Sequence, residues 1–108
     1  MKGTYWQKGE ALDYVNNTGE KIEHGDVVKL GKRIGIAGDN ILPGESGVVH
    51  VTGVFGFKRD DSDDIAMGEE VYLTDDGIIA QEGEAGCIRA GYVAAPSKGD
   101  TVYVKINA

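Results

Sequence analysis

The chain has 108 residues, 17 of them Gly and two Pro, with a single Cys and a formal net charge of −7 from 18 acidic and 11 basic side chains. That length suits one domain with a modest core, and abundant Gly with frequent Val and Ile describes many short strands joined by turns. The acidic balance argues against wrapping nucleic acid, which needs Lys and Arg against phosphate; the lone Cys87 excludes an intrachain disulfide; and no apolar run approaches bilayer length.

Taken in order, residues 1–9 carry the pair Tyr5-Trp6 ahead of any core pattern and end at Lys8-Gly9, with no apolar stretch of the kind that targets a chain for export. Two readings are open for the rings. One folds back on the domain, as Trp does on average, or the segment is an arm that docks on a neighbouring subunit or partner, where Trp and Tyr are favoured anchors. A first strand follows, with Leu12, Tyr14 and Asn16 on one side and Ala11, Asp13 and Val15 on the other, closed by a turn at Asn16-Asn17-Thr18-Gly19.

Gly25-Asp26 opens a second strand whose Val28 and Leu30 point one way while Val27 and Lys29 point the other. Gly31-Lys32-Arg33 reads as a hairpin turn and Ile34-Gly35-Ile36-Ala37 as a third strand. After the turn signal Pro43-Gly44-Glu45 the pattern predicts the longest strand of the chain, Val48 to Phe57, kinked at Gly53 and Gly56 and lying in the middle of a sheet or in a subunit contact. Lys58-Arg59-Asp60-Asp61-Ser62-Asp63-Asp64 is a solvated charge run. Its four Asp residues lack the order and the distal Glu of an EF-hand loop, so no metal is assigned to it.

The second half repeats the first. Ile22-Glu23-His24-Gly25-Asp26-Val27-Val28-Lys29-Leu30 returns as Ile65-Ala66-Met67-Gly68-Glu69-Glu70-Val71-Tyr72-Leu73, and Gly44-Glu45-Ser46-Gly47 with its strand returns as Gly83-Glu84-Ala85-Gly86 with its own. Asp75-Asp76-Gly77 takes the hairpin position, and Ile78-Ile79-Ala80 stands where Ile34-Gly35-Ile36-Ala37 stood. A third Gly-acid pair, Gly99-Asp100, opens a closing strand with Val102, Val104 and Ile106 inward and Thr101, Tyr103 and Lys105 outward. The residues therefore predict an all-β chain of about eight short strands with an internal pseudo-repeat, in which 1–108 is a single β domain. Val27, Val54 and Tyr103 are the outward apolar residues that hint at subunit contacts.

Catalytic patterns are missing. His24 and His50 stand in a turn and a strand, with no nucleophile elbow and no metal-ligand spacing, and Gly31-Lys32 lacks the upstream Gly and the following Ser or Thr of a phosphate loop. Cys87, in a strand pattern between Gly86 and Ile88, reads as a small buried hydrophobe.

The order of these pieces resembles one family throughout the chain. Tyr5-x-Gln7-Lys8-Gly9-Glu10-x-Leu12-Asp13-Tyr14, Ile22-x-x-Gly25-Asp26-Val27-Val28, Arg33-Ile34-Gly35-Ile36-Ala37, Gly44-Glu45-x-Gly47, Val51-x-Gly53-Val54-Phe55, Gly68-x-x-Val71-Tyr72, Gly91-Tyr92-Val93 and Gly99-Asp100-x-x-x-Val104 together are similar to the phage capsid cement, or head-decoration, proteins. The resemblance implies a small β-barrel or jelly-roll-like sandwich with residues 1–9 as an N-terminal contact arm, and a structural virion protein, not an enzyme and without cofactors. It would bind the outer surface of an icosahedral phage head, stabilise contacts between major capsid subunits and associate with itself as a homodimer or homotrimer, with neither nucleic acid nor membrane as partner. It would be made in the host cytoplasm. The residues carried over as capsid or subunit contacts are Tyr5, Gln7 and Lys8, with Trp6 beside them. The competing readings are a small β-barrel binding module for carbohydrate or peptide with Trp6, Tyr72 or Tyr103 as stacking platforms, and a minor hydrolase built on turn carboxylates. A ring cluster around a concave groove would favour the former, and a pocket with two facing carboxylates the latter.

Overall fold

The computed structural model of the chain describes residues 1–59, 65–74, 77–79 and 87–108. Among them are nine strands and no helix: β1 (Ala11–Val15), β2 (Val27–Leu30), β3 (Arg33–Ala37), β4 (Ser46–His50), β5 (Val54–Lys58), β6 (Glu70–Leu73), β7 (Ile78–Ile79), β8 (Ile88–Lys98) and β9 (Thr101–Ile106). They form a four-stranded sheet in the order β1-β4-β3-β2 and a five-stranded sheet in the order β5-β9-β8-β6-β7, antiparallel throughout. A lone parallel bridge between Arg59 and Ile78 draws the two margins of the larger sheet together without a continuous ladder. Of the two architectures expected, the sandwich is realised and the closed barrel is not.

The core lies where β3 meets the larger sheet. Ile34 and Ile36 of β3 pack with Val71, Ile78, Ala90, Val93, Val102, Val104 and Ile106, and Phe55 and Phe57 of β5 lean on the same cluster. On the opposite face of the four-stranded sheet, Val28, Ala37 and Val49 form a second cluster with Ile22 and Ile41, which the two connecting loops fold back over the sheet. Strand β2 thus contributes to both: Val28 enters the second cluster, while Val27, expected to face outward, packs against the first.

The first repeated unit has a common three-dimensional form. The Asp26 N–H donates to the Glu23 carbonyl at 3.0 Å and the Glu69 N–H to the Ala66 carbonyl at 3.2 Å, with Gly25 and Gly68 at φ +92° and +91°. This is the third position of a type II turn, open to Gly at no steric cost. Each turn then clasps a partner strand in the same way: the Gly25 N–H donates to the Ala37 carbonyl at 2.8 Å and the Ala37 N–H to that of Asp26 at 2.9 Å, as Gly68, Val93 and Glu69 do at 2.7 and 2.9 Å. The clasped strand is β3 in the first half but β8 in the second. Strand β7 keeps the hairpin place that β3 has beside β2, with Leu73 opposite Ile78. The difference follows from position, because β2 is an edge with one neighbour whereas β6 lies between β7 and β8. The turn at Gly83–Gly86, the charge run Asp60–Asp64, and Asp75, Asp76 and Ala80 fall outside the described residues.

One expectation is overturned. The stretch 48–57 is not a single long strand; it leaves the four-stranded sheet after His50 and enters the larger one at Val54, turning at Gly53 with φ +119°. Its second part, β5, is a sheet edge, while its first part, β4, lies inside the other sheet. Both parts offer apolar side chains on both faces because each packs in a different layer, which composition alone does not distinguish from one buried strand. The longest strand among the described residues is β8, with 11 residues; its register shifts against β6 at Val71/Tyr72 and against β9 at Val93/Ala95 and Ala95/Lys98. The closing strand β9 alternates as expected, with Val102, Val104 and Ile106 buried.

Candidate docking surface

Residues 1–8 are exposed and belong to no strand. Tyr5 and Trp6 are 79 % and 88 % exposed, so neither ring folds back on the body of the chain. Gln7 is exposed beside them, and Lys8 lies 3.5 Å from Glu10 in an ion pair open to solvent, worth little by itself. The stretch has Lys2 and Lys8 as its charged side chains, whereas the rest of the chain carries every acidic residue. It is a basic, aromatic segment attached to an acidic body.

This segment runs directly into β1, which is the edge of its sheet. The Val51 N–H donates to the Glu10 carbonyl at 3.0 Å and the Asn16 N–H to the Glu45 carbonyl at 2.9 Å. In an antiparallel ladder such bonds alternate, so the backbone of Glu10, Leu12, Tyr14 and Asn16 faces β4 and that of Ala11, Asp13 and Val15 faces the free edge. Inward, Leu12 and Tyr14 pack on the second cluster. The end of the strand is pinned by Asn16, fully buried, whose Nδ2 donates to the carbonyls of Glu20 and Ile41 at 2.7 and 2.8 Å while its Oδ1 accepts from Thr18 N–H at 3.0 Å and Thr18 Oγ1 at 2.6 Å. A rigid edge and a free aromatic segment are therefore contiguous. The structure brings Tyr5, Trp6, Gln7 and Lys8 together through sequence adjacency and through no packing of their own.

A second surface is the outer face of the five-stranded sheet. Cross-strand pairing sets Glu70, Tyr92, Lys105 and Val54 in one row across β6, β8, β9 and β5. Arg89 Nη2 lies 3.1 Å from Glu70 Oε1, Lys105 Nζ sits 5.9 Å from the Tyr92 ring centroid, and Tyr72 and Tyr103 stand half-buried on the same face. The alternation of residues 101–106 foretells Tyr103 and Lys105 here. Tyr92 and Arg89 escape sequence reading because the extra residue Ala90, opposite the Val71/Tyr72 step, breaks the period of two.

Three grooves among the described residues are shallow. One of about 380 Å³ is lined by Leu12, Leu30, Arg33, Val51 and Asn107, one of about 470 Å³ by residues including Tyr14, Glu20, Asp26 and Lys29, and one of about 330 Å³ by residues including Val27, Phe57, Leu73 and Ile78. Trp6, Tyr72 and Tyr103 line none of these three. Glu20 and Asp26 share a groove, but Asp26 Oδ2 accepts the Glu23 N–H at 2.9 Å as part of the turn. The His24 N–H is held by Asn40 Oδ1 at 2.9 Å, His50 stands against Phe55 with centroids 6.3 Å apart, and Cys87 is half-buried just before β8. Among the described residues, no group of three or more His, Cys, Asp or Glu could hold a metal ion.

Compared with known protein families, residues 6–106 match the family described as phage cement protein. No match was found among the curated proteins or among the solved structures.

Proposed function

The chain belongs to the phage cement protein family, a family of phage structural proteins, and from that premise we propose that it binds the outer surface of an icosahedral phage head and stabilises contacts between major capsid subunits. The observation that supports this reading most is the exposed segment bearing Tyr5, Trp6, Gln7 and Lys8 on the strand that edges a sheet. In the proposal residues 1–108 act as a single β domain, with residues 1–9 as its contact arm. Tyr and Trp lose little conformational freedom when they anchor, and an arm that pairs backbone with a capsid strand gains hydrogen bonds that depend little on side-chain identity. Many copies on a symmetric lattice, each a homo-oligomer, turn modest contacts into firm retention.

Sedimentation of the purified protein with phage shells that lack it, followed by imaging of the particles, tests the reading. Saturable binding at defined lattice positions supports it. A protein that stays in the supernatant, or a chain lacking residues 1–8 that binds with unchanged occupancy, overturns the docking reading or the arm respectively.

A further inference from the structure

The outer face of the five-stranded sheet carries a charge order with a consequence for self-association. Strands stand about 4.8 Å apart, so Glu70 and Lys105 flank Tyr92 at similar distances on its two sides in the row that continues to the exposed Val54. One end of the row is acidic, the other basic and the middle aromatic. We propose that two copies of this chain pair through this face, about a two-fold axis running along β8 through Tyr92.

Rotation about that axis reverses the row. Glu70 of each copy then meets Lys105 of the other, and the two Tyr92 rings meet at the centre. A two-fold axis lying across the strands would instead set Glu70 against Glu70 and Lys105 against Lys105, so the order of charges in the row favours the axis along β8, which closes a dimer. The two Arg89 side chains also face one another across that axis, each engaged by its own Glu70 and by its own Ala108 carbonyl. Glu70 is bonded to Arg89 at 3.1 Å but keeps a 60 % exposed side chain, which leaves its carboxylate able to take a second cation. The same rotation carries Tyr103 toward the turn at Met67, itself 67 % exposed, so the apolar part of the patch also meets an apolar counterpart. The overall charge of −7 opposes any such approach at long range, and a patch of four strands is about 15 Å across. The dimer is accordingly weak and becomes populated at high local concentration, the condition that a repeating surface imposes.

This proposal names the face for the self-association in the reading above, but it concerns the chain in solution and uses no part of residues 1–9, so its failure is distinguishable from a failure to dock on a shell. The test is analytical ultracentrifugation of the full chain, of Glu70→Lys, of Lys105→Glu, and of the two variants mixed one to one, with near-UV circular dichroism to show that each is folded. The wild type is expected to dimerise as its concentration rises. Each variant alone sets like charges together at both symmetric contacts and is expected to dimerise roughly thirtyfold more weakly, about 2 kcal/mol at 1.4 kcal/mol per tenfold. In the mixture, a heterodimer of the two variants again sets opposite charges together at both contacts, one of them with its polarity reversed, and is expected to recover dimers that neither variant forms alone. A wild type that stays monomeric up to roughly 1 mM, where a partner held by only about 4 kcal/mol would already associate, overturns the proposal, as do single variants that dimerise like the wild type or a mixture no better than its components.

Discussion

Asn107 holds the backbone of Ile34 at two points: its Oδ1 accepts the Ile34 N–H at 3.0 Å and its Nδ2 donates to the Ile34 carbonyl at 2.8 Å. The same Nδ2 donates to the Val51 carbonyl at 2.8 Å, and the Asn107 N–H reaches the Ala90 carbonyl at 2.8 Å. A single side chain at the end of β9 thereby ties the larger sheet to β3 of the smaller one. Its φ of +58° lies in the left-handed region, which Asn enters more readily than most residues.

Replacing Asn107 tests this tie. Asn107→Ala leaves three backbone groups without their partner in a partly buried place and is expected to cost about 3 kcal/mol, read from urea unfolding. Asn107→Gly keeps the backbone conformation but not the clamp, so it should cost nearly as much. A loss below about 0.5 kcal/mol in both, the range of a surface substitution, would mean that the sheets are held by packing alone.

Gly47, in the repeated turn-and-strand unit, lies beneath Ile41. A Cβ at residue 47 would stand 2.4 Å from Ile41 Cγ1 and 2.6 Å from its Cδ1, and Ile41 is buried against the second cluster with little room to retreat. Gly47→Ala is expected to cost about 2 kcal/mol by overpacking. In an Ile41→Ala background the same change should cost well under half as much, because the atoms it strikes are gone. Equal costs in the two backgrounds of this double-mutant cycle would refute the contact.

Gly91 and Gly68 separate two reasons for glycine. At Gly91 a Cβ would lie 2.0 Å from the Lys105 carbonyl oxygen, a backbone atom in a neighbouring strand, with φ at +147°. At Gly68 the φ is +91° and the space around it is open. Gly91→Ala is therefore expected to cost more than about 3 kcal/mol or to prevent folding, and Gly68→Ala only about 1 kcal/mol for the left-handed backbone. Thermal unfolding of the pair decides it, and a reversed order would contradict the β8–β9 approach.

Trp6 is the single tryptophan of the chain, so its fluorescence reports the arm without a label. Free in solution its emission should be that of a solvated indole, and removing residues 1–8 should shift stability by less than about 0.5 kcal/mol, since Tyr5 and Trp6 are 79 % and 88 % exposed. On docking, the emission should move to the blue, and Trp6→Ala should weaken binding by about 2 kcal/mol if the ring is an anchor. Emission unchanged on bound particles would remove Trp6 from the contact.

Much of this organisation is local and so legible in the chain. Strand type, the alternation of β1 and β9, the turns at Gly25 and Gly68 and the absence of long helical periodicity follow from side-chain period and backbone preference within a few residues. The family resemblance rests on the same short-range pieces in order. The extent of strands is less local, and this is why 48–57 misled: an apolar residue reads the same whether it packs in one layer or the next. Likewise Asn16 and Asn107 look like ordinary turn residues in sequence. Only their carbonyl and amide partners, contributed by distant segments, make them structural anchors.

The sequence by itself determined an all-β chain with a duplicated Gly-acid turn, an acidic body and a basic aromatic leading segment, because these depend on composition and on neighbours along the chain. The tertiary structure alone decided which strands became edges, that β8 rather than β7 clasps the second turn, and which face gathers Glu70, Tyr92 and Lys105 into one row. Pairing partners are chosen by burial summed over both sheets, a quantity that no short window of sequence contains.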